Sequence, residues 1–244
     1  MKTIRFALLL VFLVSITAGC SSNPSSSSDK ATNYYTQLGI GYLQKGRLDL
    51  AALNLEKALA KDSSSADTHH YYALLQERLE NNEKAGKHFR KAISITPKDS
   101  ALLNNYGSYL CRMGKYSAAE DAFLAAVRDP LYKTPEFAYT NAGICTRKTG
   151  DSARAEDYFQ QALAKNNRFS EALYQMAKLN QEKGDYAKAE AFLYRYNESA
   201  APSPESLLLC YQVQTSLKEM DKAEACATAL RAKFPESAAA GQVN

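Results

Sequence analysis

Cysteine and histidine are the residues of this 244-residue chain that could support redox or metal chemistry. Paired thiols form disulfides, and clusters of both residue types hold zinc. His69, His70 and His88 are not accompanied by a Cys-x-x-Cys or His-Glu-x-x-His motif. The chain also has no glycine-rich phosphate loop and no Gly-x-Ser-x-Gly motif. We therefore expect no catalytic residue, no metal, no cofactor and no small-molecule substrate, and a protein that is not an enzyme.

Cys20 differs from the other four cysteines because it follows an apolar N-terminal segment. Lys2 and Arg5 precede an apolar run over 6–16, which is short for a membrane span and ends in small residues. A cysteine directly after Ala-Gly resembles the lipobox of bacterial lipoproteins, although Thr17 stands where leucine is usual. We predict a lipoprotein signal peptide over 1–19 and lipidation of Cys20. The alternative is an ordinary signal with an unmodified cysteine.

A serine-rich stretch follows Cys20. Its sequence over 21–28, SSNPSSSS, is too polar to pack, so we predict a flexible tether over 20–31. In Gram-negative lipoproteins an aspartate after the cysteine retains the protein at the inner membrane. Ser21 occupies that place here, so the resemblance implies a lipid anchor in the outer membrane, with the protein on its periplasmic face.

The charge of the chain is modest. The formal charge of +4 falls to +2 when Lys2 and Arg5 leave with the signal peptide, which is too little to indicate nucleic-acid binding. No other apolar run is long enough to cross a membrane.

Small residues recur through the remaining chain at a 34-residue interval. In a frame placed by this interval, position 20 is alanine in all six repeats, namely Ala51, Ala85, Ala119, Ala155, Ala189 and Ala223. Position 8 is small in five of them, namely Gly39, Ala73, Gly107, Gly143 and Ala177. Four repeats have a turn glycine, and Glu80-Asn81-Asn82 replaces it in the second, where we expect asparagine to adopt left-handed geometry. This spacing is typical of the tetratricopeptide repeat, a helix-turn-helix unit.

We therefore predict an all-α fold, a right-handed superhelical solenoid of about six tetratricopeptide repeats and about twelve antiparallel helices over 32–237. The repeats lie at 32–65, 66–99, 100–133, 136–169, 170–203 and 204–237. Two extra residues, Thr134 and Pro135, interrupt the frame once. We expect the tail over 238–244 to be flexible.

The four remaining cysteines can pair in three ways. Cys210 and Cys226 occupy positions 7 and 23 of repeat six, which face each other across an antiparallel hairpin. Cys111 and Cys145 lie near the ends of neighbouring first helices. We favour disulfides Cys111–Cys145 and Cys210–Cys226 over four buried free thiols, because an exported protein meets oxidising conditions.

The lipobox cysteine, the serine-rich tether and six such repeats together resemble the type IV pilus biogenesis and stability lipoproteins, the pilotins of the pilus secretin. The similarity is sharpest in 104–111 (NNYGSYLC), 130–132 (PLY) and 141–145 (NAGIC). It implies a protein that binds the secretin subunit and promotes its outer-membrane localisation and multimerisation, on which pilus biogenesis and twitching motility depend. The alternatives are a lipoprotein scaffold for outer-membrane protein assembly or cell-wall enzymes, and a periplasmic enzyme.

Ligands of this repeat class usually lie along the concave face, which the first helices line. We therefore predict a protein-binding site whose residues combine apolar groups with three cations on adjacent repeats. Its members are His70, Leu74, Asn104, Arg112, Phe137, Ile144, Arg147, Lys148 and Tyr174. Such a face suits a partner segment with an apolar side and nearby acidic groups. There are three other possibilities: that these cations are simply solvated, that the partner uses a groove on the convex side, or that it uses an edge near the long connection over 131–135.

Overall fold

The computed structural model describes residues 27–243, and in this part of the chain it contains twelve α-helices, one short 3₁₀ turn and no β-strand. The helices are α1 Ser27–Gln44, α2 Leu48–Lys61, α3 Ala66–Arg78, α4 Asn82–Ile95, α5 Ser100–Arg112, α6 Tyr116–Ala126, α7 Pro135–Arg147, α8 Ser152–Lys165, α9 Ser170–Glu182, α10 Tyr186–Ser199, α11 Pro204–Ser216 and α12 Met220–Lys233. Among these residues, every helix is too short or too polar to cross a membrane. The predicted signal peptide and Cys20 lie outside the described residues.

Each repeat is an antiparallel helix pair, and the pairs stack into the predicted right-handed solenoid, which is confirmed. The second helix of a repeat packs on the first helix of the next, as α6 does on α7. The largest buried cluster extends from Ala73 in repeat two to Tyr158 in repeat four. No repeat buries its apolar residues alone, so the repeats depend on their neighbours.

The two helices of a repeat approach closely because position 8 has little or no side chain. A Cβ atom added to Gly107 would lie 2.7 Å from Phe123 Cε1, and one added to Gly143 would lie 2.5 Å from Phe159 Cε1. The alanines at position 20 are fully buried in five repeats, and Ala223 is 2% exposed in the sixth. The aromatic ring of the second helix therefore occupies the space that a larger residue at position 8 would need.

The turn between the two helices has left-handed backbone geometry at one frame position, 15. The residues there, with their φ angles, are Gly46 (71°), Glu80 (60°), Gly114 (72°), Gly150 (86°), Gly184 (78°) and Lys218 (64°). Repeat two was expected to use an asparagine for this geometry, and that prediction is wrong, since Asn81 has φ −84°. Helix termination at a fixed position decides which residue turns, and Glu80 occupies it although its side chain disfavours positive φ.

Both ends of the described chain are more ordered than predicted. The tether was expected to extend to residue 31, but α1 already begins at Ser27, and Ser28 Oγ donates a hydrogen bond to the Lys61 carbonyl at 3.1 Å. The tail was expected to be flexible from 238, but Ala239 and Val243 are buried against Leu207 and Leu230. The tail thus covers apolar surface that has no seventh repeat to pack on.

We predict opposite effects for two glycine-to-alanine changes in first helices. Gly107→Ala should destabilise the fold by about 1–3 kcal/mol, because its methyl group overlaps Phe123. Gly41→Ala is the matched control, since nothing lies within 4 Å of its added Cβ, and it should stabilise α1 by up to about 1 kcal/mol. Urea denaturation of both variants measures this. Equal stabilities would contradict the packing described above.

Candidate protein-binding face

The nine residues predicted to bind a partner lie on four successive first helices, α3, α5, α7 and α9, or directly after α7. Two of them are buried, His70 at 5% exposure and Asn104 at 8%. Phe137 and Lys148 are exposed, and Arg112 is about half exposed. Leu74, Ile144, Arg147 and Tyr174 have intermediate exposure.

His70 and Asn104 belong to a polar ladder between first helices. Asn105 Nδ2 lies 2.9 Å from His70 Nε2, and Asn141 Nδ2 donates a hydrogen bond to Asn104 Oδ1 at 3.0 Å. The Thr36 and Thr68 hydroxyls share a further hydrogen bond at 2.7 Å. His70 and Asn104 therefore join neighbouring repeats, and burial and internal hydrogen bonds leave little of either side chain accessible to a partner.

Two of the three predicted cations are already paired with carboxylates of adjacent repeats. Arg112 on α5 forms a short ion pair with Glu77 on α3. Arg147 Nη2 lies 2.6 Å from Glu182 Oε1, and its Nη1 donates to Gln175 Oε1 at 3.0 Å. Burial raises the pKa of the Glu77 carboxyl, and the Arg112 guanidinium opposes that rise.

Lys148 forms no ion pair within the described residues. Arg112 and Arg147 are therefore neutralised within the protein, and Lys148 is, in the described chain, the one unpaired member of the three predicted cations. A strongly basic groove, as the sequence suggested, is not what the folded chain presents.

The apolar members of the predicted site remain available to different degrees. Phe137 is 46% exposed and packs its ring on Phe169, with 4.6 Å between centroids. Leu74 borders a shallow groove of about 340 Å³ beside the Arg112–Glu77 pair. Ile144 packs against the cluster of Phe159 and Met176, so most of its surface serves the core.

Tyr174 is half-buried near Tyr196, with ring centroids 6.2 Å apart. Burial raises the pKa of the Tyr174 phenol, with smaller contributions from Glu205 and Glu171. Tyr174 therefore offers a neutral hydroxyl and part of a ring to the concave face at neutral pH.

The structure joins the four described cysteines in the two predicted pairs. The Cys111 and Cys145 Cα atoms lie 5.8 Å apart, and those of Cys210 and Cys226 lie 6.0 Å apart, both within the usual range for a disulfide. The first pair connects α5 of repeat three to α7 of repeat four, and both cysteines are buried. The second pair connects α11 to α12 within the last repeat.

His69 and His88 form a part-buried hydrogen bond between α3 and α4. His69 Nδ1 and His88 Nδ1 lie 2.9 Å apart, and His69 Nε2 lies 3.0 Å from the Ser63 carbonyl. Because a carbonyl only accepts, neutral His69 must carry its proton on Nε2, so His88 Nδ1 donates to His69 Nδ1. In residues 27–243, no three His, Cys, Asp or Glu side chains converge to hold a metal.

The fold and the stacked first helices define a tetratricopeptide-repeat solenoid. Tetratricopeptide-repeat family models match residues 36–100, 88–121 and 147–210. Over 242 residues the chain is 30% identical to the type IV pilus assembly protein PilF of Pseudomonas aeruginosa, covering 96% of each chain. It therefore belongs to the PilF family of tetratricopeptide-repeat proteins of type IV pilus biogenesis.

Two solved structures agree with this assignment. The structure of Pseudomonas aeruginosa PilF has a TM-score of 0.78 and 28% identity, covering 89% of this chain and 98% of PilF. The crystal structure of PilW, a widely conserved type IV pilus biogenesis factor, has a TM-score of 0.79 and 30% identity, covering 87% of this chain and 97% of PilW. The similarity thus extends over nearly the whole length of both solved chains.

We predict that non-reducing peptide mapping of protein purified from the periplasm will recover Cys111–Cys145 and Cys210–Cys226. Loss of either bond, through paired alanine substitutions, should destabilise the fold by about 2–4 kcal/mol because the unfolded chain gains freedom. Crossed pairs or four alkylatable thiols would refute the assignment.

We also predict that acidification destabilises the fold. Burial lowers the pKa of His88, and nearby His69 and Lys84 lower it further. Burial also lowers the pKa of His70, against the opposing effect of Asp99 and Asp67. The unfolded chain therefore binds protons that the folded chain does not, and the free energy of unfolding should fall as pH drops below about 6.5.

Denaturation midpoints between about pH 8 and pH 5 test this effect. His88→Asn keeps a donor near the Nδ1 position without titrating, and His70→Gln keeps an amide near the Nε2 position. The double variant should lose most of the pH dependence in this window. An unchanged pH profile in that variant would show that other groups cause it.

Proposed function

We propose that this protein is an outer-membrane lipoprotein that binds the type IV pilus secretin subunit and promotes its outer-membrane localisation and multimerisation. Pilus biogenesis and twitching motility would depend on it through the secretin. The observation that carries the proposal is the match to PilF over 96% of both chains, at 30% identity. A match of that extent covers all six repeats, so it is more informative than the repeat alone.

The solenoid supports a binding role rather than a chemical one. Stacked repeats present long edges and a long concave face, which suit contact with another protein chain. The side chains with the strongest interactions in this face, Arg112, Arg147 and Asn104, hold neighbouring repeats together. A rigid scaffold of this kind can hold a partner without changing shape itself.

The N-terminal sequence supports the anchor. Lys2, Arg5 and the apolar run over 6–16 precede Cys20, and a serine-rich stretch separates Cys20 from α1. A lipid on Cys20 would keep the solenoid beside the membrane in which the secretin assembles. Confinement to that surface raises the local concentration of one partner around the other.

If the lipid anchor acts as proposed, secretin multimerisation should depend on which membrane holds the lipoprotein. Ser21→Asp should direct the lipoprotein to the inner membrane and strongly reduce secretin multimers, while Ser26→Asp is the matched control and should leave both unchanged. Cys20→Ala should release a soluble, folded protein. Membrane fractionation and immunoblotting of heat-resistant secretin multimers measure these outcomes.

Three results would contradict the proposal. Wild-type levels of secretin multimers in a strain lacking this protein would remove the proposed role. Normal multimers in the Cys20→Ala strain would show that the anchor is not needed. Capture of outer-membrane assembly factors or cell-wall enzymes by the lipidated protein, with no secretin present, would favour a scaffold for those proteins.

A further inference from the structure

The connection between α6 and α7 presents the most exposed large hydrophobic side chain in the described chain. Leu131 is 83% exposed, whereas Tyr194 and Tyr34, the next two, are 65% and 61% exposed. This connection is also where the 34-residue frame is lengthened by two residues. A single exposed leucine is ordinary on a protein surface, so its surroundings decide whether it matters.

The backbone around Leu131 is held in place. The Leu131 N–H donates to Asp129 Oδ1 at 2.9 Å, and the Tyr132 N–H donates to the Asp129 carbonyl at 3.1 Å. Tyr132 packs into the cluster that contains Leu103 and Ala138. Leu131 therefore projects from an ordered turn, and a partner that covers it would lose little entropy in ordering the loop.

An open groove of about 520 Å³ lies beside this turn, and one of its lining residues is Asp129, whose carboxylate accepts the Leu131 N–H. The groove combines apolar surface with charged walls. Its lining residues are Pro97, Lys98, Leu103, Ala125, Arg128 and Asp129. A groove of this size can receive one or two large apolar side chains of a protein partner. A flat bilayer surface would contact Leu131 but would leave the groove unfilled.

The charged side chains at this groove that lack an internal partner are cations, and they lie beside the Asp129 carboxylate, which keeps its negative charge. Lys98 and Arg128 are exposed, and within the described residues neither side chain forms an ion pair or hydrogen bond. The adjacent carboxylates of Asp99 and Asp129 already accept the backbone N–H groups of Leu102 and Leu131. Arg112 and Arg147 on the concave face, in contrast, are paired with glutamates.

We propose that the groove and Leu131 together, here called the edge surface, receive a segment of the secretin subunit that carries apolar side chains beside acidic ones. This inference rests on the proposed function and places its contact at the junction of repeats two and three, beside the connection to repeat four. Acidic groups of the segment would pair with Lys98 and Arg128, which have no internal partner. Apolar side chains of the segment would fill the groove and cover Leu131. This burial of apolar surface would supply most of the affinity.

Charge and shape variants test the edge surface in the full lipidated protein. Leu131→Glu, and separately the double change Lys98→Glu with Arg128→Glu, should each weaken binding to detergent-solubilised secretin by about tenfold or more. Leu131→Met should bind like the wild type. All three side chains are exposed, so circular dichroism and melting temperature should be unchanged.

Matched controls place the same changes elsewhere on the surface. Tyr194→Glu adds a charge at another exposed large side chain, on α10. Lys91→Glu with Lys165→Glu makes the same change in net charge at two exposed lysines on α4 and α8. Both controls should bind secretin with wild-type affinity and wild-type salt dependence, whereas Lys98→Glu with Arg128→Glu should alter the salt dependence of binding.

Site-specific photo-crosslinking in cells identifies the occupant directly. A photoreactive phenylalanine at residue 131 should crosslink to the secretin subunit, and one at residue 194 should not. Wild-type affinity of the edge variants, or secretin binding with no crosslink at 131, would overturn this inference and leave the proposed function standing. A crosslink at 131 only to lipid, to a second copy or to another protein would also overturn it. Failure of the wild-type protein to bind secretin would overturn both.

Discussion

This structure depends on one constraint, the close approach of the two helices in each repeat. A residue without a bulky side chain on one helix contacts an aromatic or aliphatic group on the other. Gly39 admits Leu55, Gly107 admits Phe123 and Gly143 admits Phe159, at distances that a Cβ atom would not tolerate. Each contact sets the separation and crossing of a helix pair. Because the frame repeats every 34 residues, the remaining positions also have equivalent surroundings from one repeat to the next. The buried alanine at position 20 and the left-handed turn residue at position 15 are examples.

That register explains why so many polar contacts join residues about one repeat apart. Asn141 reaches Asn104, Arg112 reaches Glu77 and Cys145 reaches Cys111 because frame positions one or two apart on neighbouring first helices lie side by side. These contacts stiffen the stack and use up much of the polar capacity of the concave face. Lys98, Arg128 and Leu131, in contrast, have no internal side-chain partner within the described part of the chain and lie at or beside the groove that precedes the lengthened connection.

The two proposals concern different parts of the chain and have complementary roles in secretin binding. The lipid on Cys20 would hold the solenoid at the membrane, while the edge surface would select the partner. A contact built from one exposed leucine, an apolar groove and two unpaired cations would be sensitive to single substitutions there. On the concave face Arg112 and Arg147 are already paired with glutamates, so contact there would be less sensitive to a partner's charge.

Much of the fold could be read from the sequence alone, because the 34-residue interval, the alanines at position 20 and the turn glycines are local signals that repeat. The cysteine pairs also followed from the frame. Tertiary structure alone decided that Glu80 rather than Asn81 turns the chain, that His70 and Asn104 are buried, and that Arg112 and Arg147 are paired. The physical reason is that periodicity identifies the face on which a side chain lies, whereas its partners come from neighbouring repeats whose side chains the pattern does not specify.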